Sequence, residues 1–128
     1  MNKWVLIGLV AAGSALGGVW RYLLADLINI FVKGFPLATL TVNVLGSFLI
    51  GIFFVYCSRS MHQEILRAFL MVGLMGGFTT FSTFSLDILS LFEEGKALFA
   101  GLYMLASVSL SLLGAYWGIT LMRLKGVG

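Results

Sequence analysis

The sequence predicts an all-α membrane protein of four transmembrane helices with a broken third helix. Three observations lead there. The 128 residues are 60% hydrophobic and only 10% charged, with mean hydropathy +1.06, whereas a soluble domain carries roughly 25% charged residues. Two stretches, 37–57 and 97–122, hold no Asp, Glu, Lys or Arg and exceed the ~20 residues of a bilayer crossing. Inside a third hydrophobic stretch, residues 76–85 join the adjacent Gly76 and Gly77 to hydroxyl side chains interleaved with Phe78, Phe81 and Phe84.

The first span is expected over 4–30. Its apolar run follows Lys3, as in a signal peptide, but outlasts an h-region and contains Gly13, Gly17 and Gly18, so it reads as a retained span. Gly34 and Pro36 close it and open the second span over 37–57, since Pro suits a helix's first turn. The third span is expected over 65–92 and the fourth over 97–122. The links between them are short, which makes 1–128 a single transmembrane domain.

Four thin helices enclose a pathway poorly, so a dimer or larger assembly is expected. Gly13 with Gly17, and Gly114 with Gly118, form GxxxG spacings that let helix backbones approach closely. They serve either contact between subunits or packing within one.

The third span is the anomaly. Adjacent glycines weaken a helix, and in hydrocarbon each loosened peptide group and each hydroxyl needs a partner. Such a segment persists only when buried in protein or lining a polar pathway. In the second span Thr39, Asn43 and Ser47 share one helix face. Asn43, with two donors and an acceptor, is either helix–helix glue or part of a pathway. Tyr103, Ser107 and Ser111 repeat the spacing in the fourth span, although membrane Ser and Thr often bond to their own helix carbonyls.

Charge inside the spans is sparse. Arg21 lies within the first span and Asp26 near its end. Such charges face protein interior or water, or snorkel to the interface. Asp87 follows the hydroxyl stretch and either faces a vestibule or pairs with Arg21. Lys3, Arg59, Arg67, Arg123 and Lys125 fall on one side of the membrane, against Lys33 and Lys96 on the other, joined by Arg21 where it snorkels that way. By the positive-inside rule the count favours cytoplasmic termini, and it leaves open one fixed orientation or insertion both ways.

Several functions are excluded. The lone Cys57 allows no internal disulfide and reads as a small packing residue. No His/Cys/carboxylate cluster suits a metal, no clustered basic face suits nucleic acid, and His62 stands far along the chain from the membrane-centre serines a hydrolase would activate. Aromatic rings, by contrast, carry a positive edge. Ring edges, an Asn amide and hydroxyls together make the weak, multi-site anion path that conduction needs, and carbonyls at a broken helix can hold a cation beside it.

The runs 13–22, 39–48 and above all 73–85 resemble the Fluc/CrcB family of fluoride channels, and the likeness covers nearly the whole chain. The resemblance implies an antiparallel, dual-topology homodimer in the bacterial inner membrane, with two fluoride pores and a central, structural Na+. It implies that Phe81 and Phe84 form the pore's phenylalanine box and that Asn43 lines the pore. Thr83, Tyr103 and Ser111 are added to that path, and Ser107 stands where relatives can carry Asn or His. Arg21 and Asp87 belong to the vestibule, Asp87 standing where relatives often have Glu. Backbone carbonyls of Gly76 and Thr79 hold the sodium, and Phe78 falls outside the box and packs.

The function expected is passive export of cytoplasmic fluoride, in a protein that is not an enzyme and whose partners are fluoride, a second copy and the bilayer. Two alternatives stand beside it. A small four-span proton-coupled multidrug exporter needs a carboxylate deep in the first span, where this chain has Arg21 and the peripheral Asp26. A non-transporting scaffold subunit would use Asn43 and Phe84 only for assembly.

Overall fold

The computed structural model describes residues 2–126. Four helical segments are long and apolar enough to cross a membrane: Lys3–Phe31, Leu37–Ser58, Gln63–Glu93 and Ala97–Lys125. Helix α1 (Lys3–Phe31) opens on Asn2, whose side-chain oxygen accepts from the Trp4 amide at 2.9 Å, the usual role of Asn at an N-cap. The chain then reverses through Gly34 at φ +89°, a conformation residues with a Cβ rarely adopt. Pro36 stands at the N-cap of α2 (Leu37–Ser58).

The third segment is composite. It begins as α3 (Gln63–Leu66), widens into a π-helix over Arg67–Met75, and returns to α geometry as α4 (Gly76–Phe78). Thr79 (φ −86°, ψ 157°) and Thr80 (φ −149°, ψ 119°) then take extended backbone before α5 (Phe81–Glu93). The place differs from the sequence expectation. Gly76, with φ −62° and ψ −34°, is helical, so the two glycines do not unwind the chain. The two threonines after them do. Gly95 at φ +76° makes the last turn, and α6 (Ala97–Lys125) completes the bundle.

Glycine contacts fix how the helices pair. A Cβ on Gly13 would strike the Phe69 carbonyl, and one on Gly17 the Leu74 carbonyl. A Cβ on Gly114 would meet the Val44 carbonyl, and one on Gly118 the Phe48 carbonyl. Residue numbers rise together in both sets, so α1 runs parallel to the third segment and α2 parallel to α6. Asn43 and Gly46 of α2 meet Thr80 and Thr79 in reversed order, which sets the two pairs antiparallel. Both GxxxG spacings are therefore occupied within one chain. They bring backbones together inside the subunit, which resolves the choice the sequence left open.

Two small apolar clusters complete the packing. Phe84, Leu91, Ala100 and Tyr103 join α5 to α6, while Val42, Met75 and Phe78 join α2 to the third segment. Phe78 is buried, and Cys57 is fully buried as a packing thiol. Large apolar side chains such as Trp20, Leu105 and Leu112 stand outward, as the bilayer's hydrocarbon permits.

Candidate functional site around the interrupted third segment

The interruption is held open by one side chain from another helix. Asn43 Nδ2 donates to the Thr80 carbonyl at 2.9 Å, and its Oδ1 accepts from the Thr80 amide at 2.7 Å. The Thr80 N–H can only donate, so it fixes which way the Asn43 amide faces. A single residue thus satisfies both backbone groups that the extended conformation releases. One Nδ2 hydrogen remains for another acceptor. Of the two roles open to Asn43, the glue role is met by these bonds, and the spare N–H leaves capacity for the other.

Local hydrogen bonds arrange the rest. Thr80 Oγ1 accepts from the Thr83 amide at 3.1 Å and so caps α5. Thr79 and Ser85 hydroxyls donate to carbonyls four residues earlier, at 2.9 and 3.0 Å, the local bonding that membrane hydroxyls favour. In an unbroken helix the Thr80 amide would bond the Gly76 carbonyl, and the Thr83 amide the Thr79 carbonyl. Here those amides go to Asn43 and Thr80 instead. The carbonyls of Gly76 and Thr79 thereby lose their regular partners.

These groups meet in a groove of about 410 Å3, lined by residues of α2, the π-helix, the interruption and α6. Of the residues singled out from sequence, Asn43, Phe81, Phe84, Ser111, Gly76 and Thr79 line it. Phe81 is 79% exposed whereas Phe84 is 8% exposed, and their ring centroids lie 5.4 Å apart, tilted by 55°. Thr83 is outside the lining; its amide serves the cap. Tyr103 lies behind the groove, fully buried, with its ring 5.2 Å from Phe84.

Tyr103 leads onward. Its hydroxyl donates to Asp87 Oδ2 at 2.9 Å, and Asp87 borders a second cavity of about 270 Å3 with Asn29, Lys33, Ser90 and Glu94. Phe84, Tyr103 and Asp87 thus connect the groove to that cavity. Arg21 is placed elsewhere. Its Nε donates to the Gly77 carbonyl at 3.1 Å, so the cation sits at the C-terminal end of α4, where helix carbonyls attract it. Arg21 and Asp87 are not brought together, because each has its own partner.

Three polar residues were under-weighted in the sequence. Thr80 was one hydroxyl among five, although its backbone and side chain organise the interruption. Ser47 also lines the groove, and its place on the Asn43 face was the available signal. Ser107 is buried to 6% exposure, and its hydroxyl is without a hydrogen-bond partner among the described residues, at the groove wall. It lies midway in the stripe from Tyr103 to Ser111.

Chemically, the groove offers two opposite fields. The N-terminus of the 13-residue α5 opens on it at Phe81, and helix N-termini favour anions. The released carbonyls of Gly76 and Thr79 favour a cation. Among the described residues no group of three His, Cys, Asp or Glu side chains gathers as a metal site.

The sequence model of the CrcB-like protein, Camphor Resistance (CrcB) family matches residues 8–119. A Rhizobium etli protein named fluoride-specific ion channel FluC is 45% identical over 117 residues, covering 90% of this chain and 94% of its own. The namesake from Aliivibrio salmonicida is 39% identical over 129 residues, covering 96% and 99%. Fluoride-specific ion channel FluC 1 of Nitrobacter hamburgensis is 46% identical over 123 residues, covering 94% and 98%.

Proposed function

The chain belongs to the CrcB-like family, and on that premise we propose that it is a fluoride-specific channel that exports cytoplasmic fluoride passively. It is a multi-pass membrane protein and a channel rather than an enzyme. The observation that carries the reading is the groove at the interrupted segment, where Asn43, the α5 N-terminus and Phe81 converge. Fluoride enters cells as neutral HF and dissociates inside. A negative membrane potential then drives the anion outward through any selective pore, with no nucleotide required.

In this reading the spare Asn43 N–H, the Ser107 and Ser111 hydroxyls and the edges of Phe81 and Phe84 form the anion path. Each contact is weak, which lets the ion leave as well as bind. Tyr103 backs the path, Asp87 edges its vestibule, and Thr83 acts through the cap of α5. Arg21 holds the end of α4 in place and sets a positive charge near the interruption.

The active form is an antiparallel, dual-topology homodimer in a bacterial inner membrane. The support is physical. A groove carrying Asn43, Thr80, Ser107 and released carbonyls is not viable against lipid. Phe81, 79% exposed on its rim, needs a protein neighbour if its ring is to shape a path. A second copy supplies both, and two-fold symmetry makes the contact self-complementary.

A sodium ion fits the donor set. The carbonyls of Gly76 and Thr79 are released from helical bonding by the Thr80–Asn43 and Thr83–Thr80 bonds, and a two-fold copy would present the same pair. The ion, when bound, supplies positive charge that offsets carbonyl repulsion of an anion. This chain's own part is to keep those carbonyls fixed and apart from competing donors.

The test is flux. Liposomes bearing the purified protein, under imposed fluoride and chloride gradients, should release fluoride selectively to an ion-selective electrode. Absence of fluoride release from folded protein would refute the channel, and equal chloride release would refute the specificity.

A further inference from the structure

The charged residues outside the groove divide unevenly between the two ends of the bundle. With α1 parallel to the third segment, α2 parallel to α6 and the pairs opposed, one end gathers Lys3, Arg59, Arg67, Arg123 and Lys125 with Glu64 as its acid. The opposite end has Lys33 and Lys96 with Asp26, Asp87, Glu93 and Glu94, while Arg21 lies between the ends on the Gly77 carbonyl. All five cations of the first end are exposed, and they come from four different parts of the chain that surround that end.

Two of them are anchored. Arg59 Nη1 donates to the Met122 carbonyl at 3.1 Å, and the Arg67 guanidinium lies over the Phe54 ring, 5.9 Å from its centroid. Anchoring lowers the ordering cost when a ligand docks, and a guanidinium keeps further N–H groups for a phosphate. Trp4 and Tyr56, exposed at the same end, are residue types that settle at headgroup depth.

We propose that this end is a docking surface for the headgroups of anionic phospholipids in the leaflet it meets. Charge complementarity selects the occupant. Anionic leaflets attract basic residues beside membrane helices, and the phosphodiester accepts bidentate bonds from arginine. The acidic opposite end offers such lipids repulsion. The surface is separate from the groove, so the inference stands independently of the channel reading.

The experiment measures retained lipid rather than flux. Full-length protein in mild detergent is mixed with equal amounts of phosphatidylglycerol and phosphatidylcholine of identical acyl chains. It is then gel-filtered, and bound lipid is counted by mass spectrometry. Phosphatidylglycerol should be retained several-fold over phosphatidylcholine at low salt, and the preference should collapse near about 1 M NaCl, where the screening length falls to about 3 Å. The triple change Arg67→Gln, Arg123→Gln and Lys125→Gln should remove most of the preference, and Lys33→Gln with Lys96→Gln should keep it. Arg59 is left intact because it ties α2 to α6. Should the triple variant fail to elute as folded protein, Arg123→Gln and Lys125→Gln singly should each lower the preference. Equal retention of both lipids by the natural protein would overturn the proposal, as would equal loss in the Lys33/Lys96 variant. So would abolition of the preference by inorganic phosphate at matched ionic strength, which would mark a free-phosphate site.

Discussion

The two arms of the third segment are held by different physics. Before Thr79 the chain lies backbone to backbone against α1, with Gly13, Gly17, Gly73 and Gly77 at the contact. After Thr80, α5 is held by side-chain hydrogen bonds and rings: the Thr80 cap, the Asn43 bridge and the Phe84–Tyr103–Asp87 series. Close packing has no alternative arrangement a few tenths of an ångström away. Hydrogen bonds and tilted rings have several. A rigid arm beside an adjustable one suits a path whose walls must both hold and release an ion.

The largest effect should come from the rigid arm. Gly17→Leu drives a Cβ into the Leu74 carbonyl, with backbone on both sides and nothing to move aside. Overpacking at this severity should cost more than about 3 kcal/mol, so the variant should run as aggregate in fluorescence-detected gel filtration. A monodisperse Gly17→Leu protein with normal flux would break the comparison.

Asn43→Ala comes next. It strands both backbone groups of Thr80 at membrane depth, at about 1–3 kcal/mol for each unsatisfied group. Thermal stability in detergent should fall, and fluoride release should drop at least about tenfold. Asn43→Asp, which as a carboxylate keeps the acceptor for the Thr80 amide but sets a negative charge against the Thr80 carbonyl and the anion path, should lower fluoride release at least as far.

Tyr103→Phe removes one hydrogen bond to a carboxylate, worth about 1.5–3 kcal/mol where the group is charged. Its effect should be non-additive with Asp87→Asn in a double-mutant cycle of thermal stability. Strict additivity would show that the 2.9 Å bond carries no energy. Thr80→Ala should be the mildest. Losing an N-cap costs about 1 kcal/mol, while the Asn43 bonds to the backbone of residue 80 survive the change. Fluoride release should persist at reduced rate, because the adjustable arm tolerates one lost bond.

Much of this was legible in the chain. The two uncharged stretches announced their spans because hydrocarbon thickness sets helix length. The glycine pairs announced close approach, since a missing Cβ has one main structural use in a membrane. Their partners were not legible: Gly13 and Gly17 face the third segment, and Gly114 and Gly118 face α2, a choice no local spacing encodes. Arg21 likewise read as a charge in search of a partner, and that partner is a backbone carbonyl 56 positions away.

The interruption divides the two kinds of information most clearly. By itself the sequence determined that residues 76–85 were unfit for a plain membrane helix, because glycines and hydroxyls weaken helix bonding wherever the chain folds. Only the tertiary structure decided where the helix stops. Gly76 stays helical with its amide on the Met71 and Gly73 carbonyls, while Thr79 and Thr80 leave the helix because Asn43 from α2 satisfies the Thr80 amide and carbonyl together. A weak helix breaks where a better partner stands, and that partner arrives only with packing.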